Sequence, residues 1–344
     1  MMSLPYEVEI LLRATLGTLA VGIFAVVFGL ILKGIDRKVH ARMQMRIGPP
    51  VIQPFRDIKK LLHKQTIIPE NAVRSIYNNA PILAFAAAIA VMVYLPLGPF
   101  SPLLAEGGDL ILVLYLLIIP SLAMVAGGFA SGSPYATVGA QREMVLMMSY
   151  ELPLASVVVA VAWKMSSLGF GSSAFTFPVI MSFPVWEHVG AVGAIGAILL
   201  LITILSVLPG EMSKIPFDAP EAETEICGGL LAEYSGRNLA MFMLADAVKI
   251  VALGTFVIAL FFPWGLTPTL ERTLDVDIHK YFGWVIDFLF YMFKLIVLLV
   301  AAVTFPRTGF SRIKIDQITD VYWKRFGAVA LVGVFLLLLD LQVL

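Results

Sequence analysis

The sequence predicts an all-α, polytopic membrane protein with about eight transmembrane helices and both termini outside. Three observations predict it. Hydrophobic residues make up 59% of the 344-residue chain and charged residues only 14%, whereas a soluble domain carries roughly a quarter. Apolar stretches near the ~20 residues needed to cross a bilayer recur from one end to the other. Lysine and arginine crowd into alternate connecting loops, as the positive-inside rule requires of a multi-pass chain.

The spanning windows lie near 11–32, 80–100, 110–130, 143–163, 188–208, 239–262, 284–305 and 326–343. The segment at 143–163 contains Glu151 and Pro153, so it needs a protein-lined environment. Glu7 and Glu9 precede the first window, and no short apolar region with a small-residue cleavage site follows. The start therefore reads as a membrane helix and not as a cleavable leader. The loops at 33–79, 131–142, 209–238 and 306–325 hold eighteen lysines and arginines, ten of them in the first loop. The opposite loops hold only Lys164, Arg272 and Lys280, among the acids Glu106, Asp109, Glu187, Glu271, Asp275 and Asp277. The four basic loops therefore face the cytoplasm. Residues 1–344 read as one membrane domain in the cell membrane, with a basic cytoplasmic loop at 33–79 and an acidic one at 209–238.

Composition excludes several functions. A formal net charge of zero argues against nucleic acid as a partner. The one cysteine, Cys227, supplies neither an internal disulfide nor the set of thiolates that an iron–sulfur cluster needs. His40, His63, His188 and His279 lack metal-ligand spacing. If electrons move here, a partner carries them.

Two cytoplasmic stretches could carry chemistry. In the first, cations at 37, 38, 42 and 46 suit an amphipathic helix at the membrane surface that Gly48-Pro49-Pro50 ends. Helical spacing resumes over 51–64 with Ile52, Phe55, Ile58 and Leu62 on one side. Such a loop is either an anchor for membrane lipid phosphates or a docking platform for a peripheral domain. The second stretch, 209–238, holds Glu211, Asp218, Glu221, Glu223, Glu225 and Glu233 against Lys214 and Arg237. If Pro220 opens a helix, Glu221 and Glu225 share a face one turn apart. Buried like charges so placed would bind protons near neutrality. A solvated acidic loop is the plainer alternative.

Charges at membrane depth cost about 2.5–3.5 kcal/mol each on insertion scales, so each calls for a partner or a role. Asp246 and Lys249 stand three residues apart, and Asp287 and Lys294 seven apart, so each pair can meet on one helix face. Glu143 and Glu151 lie in the fourth segment near Arg142, and Glu151 has no local partner. Arg13 and Asp340 sit near segment ends, where charged side chains reach for the interface.

These same stretches resemble one family, the NuoH-type membrane subunits shared by complex I and the energy-converting membrane-bound [NiFe]-hydrogenases. Four blocks carry the resemblance: DRKVHARMQMRIGPP at 36–50, GAQREMVLMMSYELPL at 139–154, EMSKIPFDAPEAETEICGGLLAEYSG at 211–236 and FPRTGFSRIKIDQITDVYWK at 305–324. The third is the most specific, although Lys214 stands where many complex I members have arginine. The compact GPPVIQPFRDIKKLL element, beginning at Gly48, resembles the branch of archaeal membrane-bound hydrogenase and the related sulfane-sulfur reductase. Quinone-linked members usually have a longer insert there.

The resemblance implies a subunit that anchors a peripheral redox arm and couples it to H⁺ or Na⁺ translocation. It implies a charged path through Glu143, Glu151, Glu211, Asp218, Glu221, Glu223, Glu225, Glu233, Asp246 and Lys249. Contacts to the arm would fall to Arg37, Arg42, Arg46, Gln53, Arg56, Asp57 and Lys60. The implied partners are hydrogenase-like large and small subunits, a ferredoxin-like iron–sulfur subunit, antiporter-like membrane subunits, and ferredoxin as electron donor. The [NiFe] centre and iron–sulfur clusters would sit on those partners, with no cofactor or catalytic centre on this chain. Two other readings stay open: a quinone-site subunit of a complex I-like enzyme, and a stand-alone ion transporter.

Overall fold

A computed structural model describes residues 6–104, 108–274 and 282–343. The outer-loop residues Glu106, Asp275, Asp277, His279 and Lys280 lie outside the described residues, as do the side chains of Glu7, Glu9, Arg13 and Arg272. The described chain is helical. Helix α1 runs Tyr6–Met43, α2 Gln53–His63, α3 Arg74–Tyr94, α4 Leu110–Ala130 and α5 Pro134–Met165. Then follow α6, Ala191–Glu211, α7, Gly236–Phe261, α8, Gly283–Gly309, and α9, Ile315–Asp340. All but α2 are long and apolar enough to cross a membrane, which makes eight such helices among the described residues.

Helix α7 is the axis of the bundle. In its most apolar window 89% of residues are buried, against 28% for the peripheral α9. Helices α1 and α3 pack on it, α4 backs onto α3, and α5 connects α4 to α6 and α9. At the α1–α7 crossing Gly29 is required, because any side chain there would collide with the Ala247 carbonyl. The remaining apolar faces, such as Leu16, Leu19 and Ile23 on α1 and Leu331 and Phe335 on α9, are exposed. In a bilayer those faces meet lipid.

Three expectations change. No separate surface helix forms over 37–46, because α1 continues without interruption to Met43. Arg37, Lys38 and Arg42 therefore lie on an extension of a membrane helix, and Arg46 lies just beyond its end. On α2 the packing side is Pro54 and Ile58 with Phe55, whereas Ile52 and Leu62 are exposed. Asp340 does not reach for the interface. It is buried, accepts a hydrogen bond from Lys164 at 2.9 Å, and accepts others from Gly190 N and Gly193 N at the start of α6.

Lys164 and Asp340 thus pin α5, α6 and α9 together where neither charge meets water. Removing one partner leaves an uncompensated buried charge, at a cost of about 3–5 kcal/mol. Lys164→Ala should lower the melting temperature of the detergent-solubilised protein sharply. Lys164→Met combined with Asp340→Leu should recover much of that loss, a comparison thermal unfolding can make directly.

Candidate functional site

The end of the bundle that carries the 209–238 loop holds a cavity of about 220 Å³ between α1, α4, α5, α6, α7, α8 and that loop. Its walls carry five acids, Asp36, Glu143, Glu211, Glu221 and Asp246, and five cations, Lys33, Arg37, Lys214, Lys249 and Arg307. Balanced charge is what a low-dielectric chamber demands, since an unmatched ion would cost several kcal/mol.

The pairing is not the one sequence spacing implies. Asp246 and Lys249 sit on the same helix but hold different partners. Asp246 Oδ2 is 2.7 Å from Lys33 on α1 and 3.4 Å from Lys214 in the loop. Lys249 donates to Ser121 Oγ at 2.7 Å and to the Glu211 carbonyl at 2.8 Å. Its ammonium also lies 2.7 Å from Glu211 Oε1. Direction separates the two Glu211 contacts: the carboxylate contact is ionic rather than an aligned hydrogen bond, and Oε1 has no hydrogen-bond partner. Pro120 precedes Ser121 in α4 and cannot donate from its backbone. Asp36 accepts from Arg307 and from Thr304, each at 2.7 Å.

Glu143 and Glu221 are left without a cation in contact. Glu143 is 1% exposed on α5 and accepts only the Ser213 hydroxyl, at 3.1 Å. Glu221 ends a short turn, Ala219–Glu221, that turns its side chain into the cavity. Burial pushes Glu221 above the ordinary glutamate value, Lys214 opposes the rise, and the Asp246 charge adds to it. For Lys214, burial works against its charge, but Asp246 and Glu221 hold its proton more firmly than usual.

The other loop acids face elsewhere. No helix continues from Pro220 through Glu225, so Glu221 and Glu225 do not share a face. Glu225 turns outward to form an ion pair with Arg142, which also donates to the Ala219 carbonyl. Asp218 is held by Nε and Nη2 of Arg312, at 2.8 and 2.6 Å. Glu223 and Glu233 are exposed. Glu151 is half-buried on α5, outside the cavity lining.

Of the arm-facing set, Arg37 lines the cavity and ties α1 to α2 through Asp57 at 2.8 Å, and Gln53 donates to the same carboxylate at 3.0 Å. Burial favours the neutral Asp57 carboxyl, but these two hydrogen bonds outweigh it and hold its pKa below the usual range. Arg42, Arg46, Arg56 and Lys60 are exposed.

Sequence reasoning missed Lys33, Asp36, Ser121, Ser213, Lys214 and Arg307 as cavity groups. Lys33, Asp36 and Arg37 follow i, i+3, i+4 spacing, so a first helix extended by three turns would have revealed them on one face.

Eight spans around a buried, charge-balanced chamber define a polytopic membrane protein with an internal polar site and not a simple anchor. The family described as NADH dehydrogenase matches residues 16–338, and the chain belongs to it. An NADH-quinone oxidoreductase subunit of Brevibacillus brevis is 33% identical over 325 residues, covering 92% of this chain and 90% of that one. The subunit of the same name from Wolbachia sp. subsp. Brugia malayi is 31% identical over 322 residues, with 88% and 89% covered. Among solved structures, a chain of the membrane-bound sulfane sulfur reductase, an archaeal respiratory membrane complex, superposes with a TM-score of 0.79. It shares 31% identity, and the match covers 96% of this chain and 99% of that one. The chain is thus a NuoH-like membrane subunit of a complex I-like oxidoreductase complex.

If Lys33, Asp246 and Lys214 act as one unit, their substitutions are not additive. A double-mutant cycle with Lys33→Ala and Asp246→Ala, read by thermal unfolding, should give a coupling of about 1–3 kcal/mol.

Proposed function

We propose that this chain is the membrane-anchoring and coupling subunit of a ferredoxin-linked complex in the cell membrane, a membrane-bound hydrogenase or related sulfur reductase. The observation that carries the coupling role is the pair of cavity acids, Glu143 and Glu221, left without cations in an otherwise paired chamber. A carboxyl in that situation changes protonation when the nearby field changes.

Electron transfer on [NiFe] or iron–sulfur centres of the peripheral subunits alters the field at the 209–238 loop. Glu221, carried on that loop, responds first. Glu143 follows, and the Glu211–Lys249 contact shifts with it. Glu151, on the outer side of α5, hands the change to antiporter-like subunits alongside. The exposed Arg42, Arg46, Arg56 and Lys60 meet the hydrogenase-like and ferredoxin-like subunits, while Glu223 and Glu233 face the same arm. Asp218 and Glu225 hold the loop in place.

A second reading is favoured by the names of the curated relatives, which are quinone oxidoreductase subunits. Reduction of a quinone analogue by the purified complex, blocked by a quinone-site inhibitor, would select it.

Glu143→Gln and Glu221→Gln should each lower ion translocation in the reconstituted complex by about 100-fold, the scale of a positioned proton-transfer group. Assembly, followed by co-purification, should be retained. Unchanged pumping in both would reject the coupling role. Because Glu221 titrates above the ordinary value of 4.5, it keeps its proton at pH values where an exposed glutamate has lost it. Raising the pH through its pKa ionises it, so the pH–pumping profile should show a limb above 4.5 that disappears in Glu221→Gln.

A further inference from the structure

A second polar cavity lies at the outer end of the bundle, remote from the charged chamber. It has a volume of about 140 Å³ and is lined by α7, α8, the turn after α3 and Met181. Asp287, Tyr291 and Lys294 enter it from α8 at i, i+4 and i+7, one face of that helix. The two charges are not in ion-pair contact with each other, contrary to what their spacing implies. Each instead holds the backbone of the 262–267 turn. Asp287 Oδ1 accepts from Leu266 N and Thr267 N at 2.7 and 2.8 Å. Lys294 donates to the Phe262 and Trp264 carbonyls, both at 2.7 Å.

Capacity remains on both. Among the described residues Asp287 Oδ2 has no hydrogen-bond partner, and the Lys294 ammonium, bonded to two carbonyls and lying 4.9 Å from the Phe290 ring centroid, has no anion in contact. At the cavity floor Thr255 donates to the Val251 carbonyl, so in the 2.5 Å contact between the two hydroxyls Tyr291 donates to Thr255. The floor is therefore satisfied, and among the described residues what remains is one carboxylate oxygen without a hydrogen bond and an ammonium without an anion in contact.

That combination selects a ligand class. A lone anion would meet the Asp287 charge and a lone cation the Lys294 charge. A molecule carrying both signs satisfies both at once. The volume equals that of several water molecules at ~30 Å³ each, enough for a small headgroup. The surroundings identify its source: Trp264 lines the cavity at 42% exposure, and Trp284 and Phe282 nearby are 56% and 68% exposed. Such aromatic side chains mark the membrane–water interface.

We propose that this cavity binds the zwitterionic headgroup of an outer-leaflet phospholipid, its ammonium on Asp287 and its phosphate on Lys294. The site is independent of the coupling role assigned to the inner chamber.

The test uses the whole complex, delipidated in detergent and then incubated with phosphatidylethanolamine, phosphatidylglycerol or soluble phosphoethanolamine. Bound lipid is counted by native mass spectrometry. Phosphatidylethanolamine should be retained at one molecule per chain and at least about tenfold more tightly than phosphatidylglycerol, a single decade of affinity. Asp287→Asn should abolish the preference. Because that change also loosens the 262–267 turn, Met181→Trp provides a second arm by filling the cavity while leaving both charged residues unsubstituted, and it should abolish retention. Equal retention of the two lipids, or retention that survives Met181→Trp, would overturn the site. Binding of soluble phosphoethanolamine with no phospholipid retained would overturn its assignment to a lipid.

Discussion

Charge inside a low-dielectric bundle is stable only beside its opposite, and most of this structure can be read as a set of solutions to that constraint. The charged chamber brings ten ionisable groups together, yet few of its contacts join neighbours on one helix. Glu211–Lys249 joins α6 to α7, Asp246–Lys33 joins α7 to α1, and Asp36–Arg307 joins α1 to α8. The charges are therefore also the cross-braces of the bundle. Each of these ionisable groups therefore sits at a helix–helix contact.

Those braces leave Glu143 and Glu221 outside the pairing, and the loop that carries Glu221 is unusually well fastened. Arg312 and Arg142 draw Asp218 and Glu225 outward, one on each side of Glu221. Further along, Tyr77 and Tyr234 stack at 4.2 Å, and each hydroxyl donates to backbone beside the other ring. The loop is thus tied down on both sides of Glu221, which it presents to the chamber. Of the other acids in the 209–238 stretch, Glu211 lines the chamber from the end of α6, Asp218 and Glu225 are spent on attachment, and Glu223 and Glu233 are exposed.

Much of the fold was legible because a bilayer imposes a length and a composition that any spanning helix must show. The windows at 110–130 and 239–262 differ from α4 and α7 by no more than a few residues. Cytoplasmic ends were less legible. Hydropathy falls where a helix leaves lipid, but the hydrogen-bonded helix need not stop there, as α1 shows by continuing to Met43. That extension displaced Lys33 and Asp36 from an apparent loop into the chamber.

The sequence by itself determined the membrane architecture, the family, and the acid-rich segment that contains the site. It did so because hydrophobic length, charge distribution and motif order are local properties of the chain. Only the tertiary structure decided which charges meet. Asp246 passes over Lys249 for Lys33, more than two hundred residues away, and Asp287 and Lys294 bypass each other for the backbone of one turn. Proximity along a helix offers a partner, but burial makes every unsatisfied group costly, so the contacts that survive are those that satisfy the whole packed set.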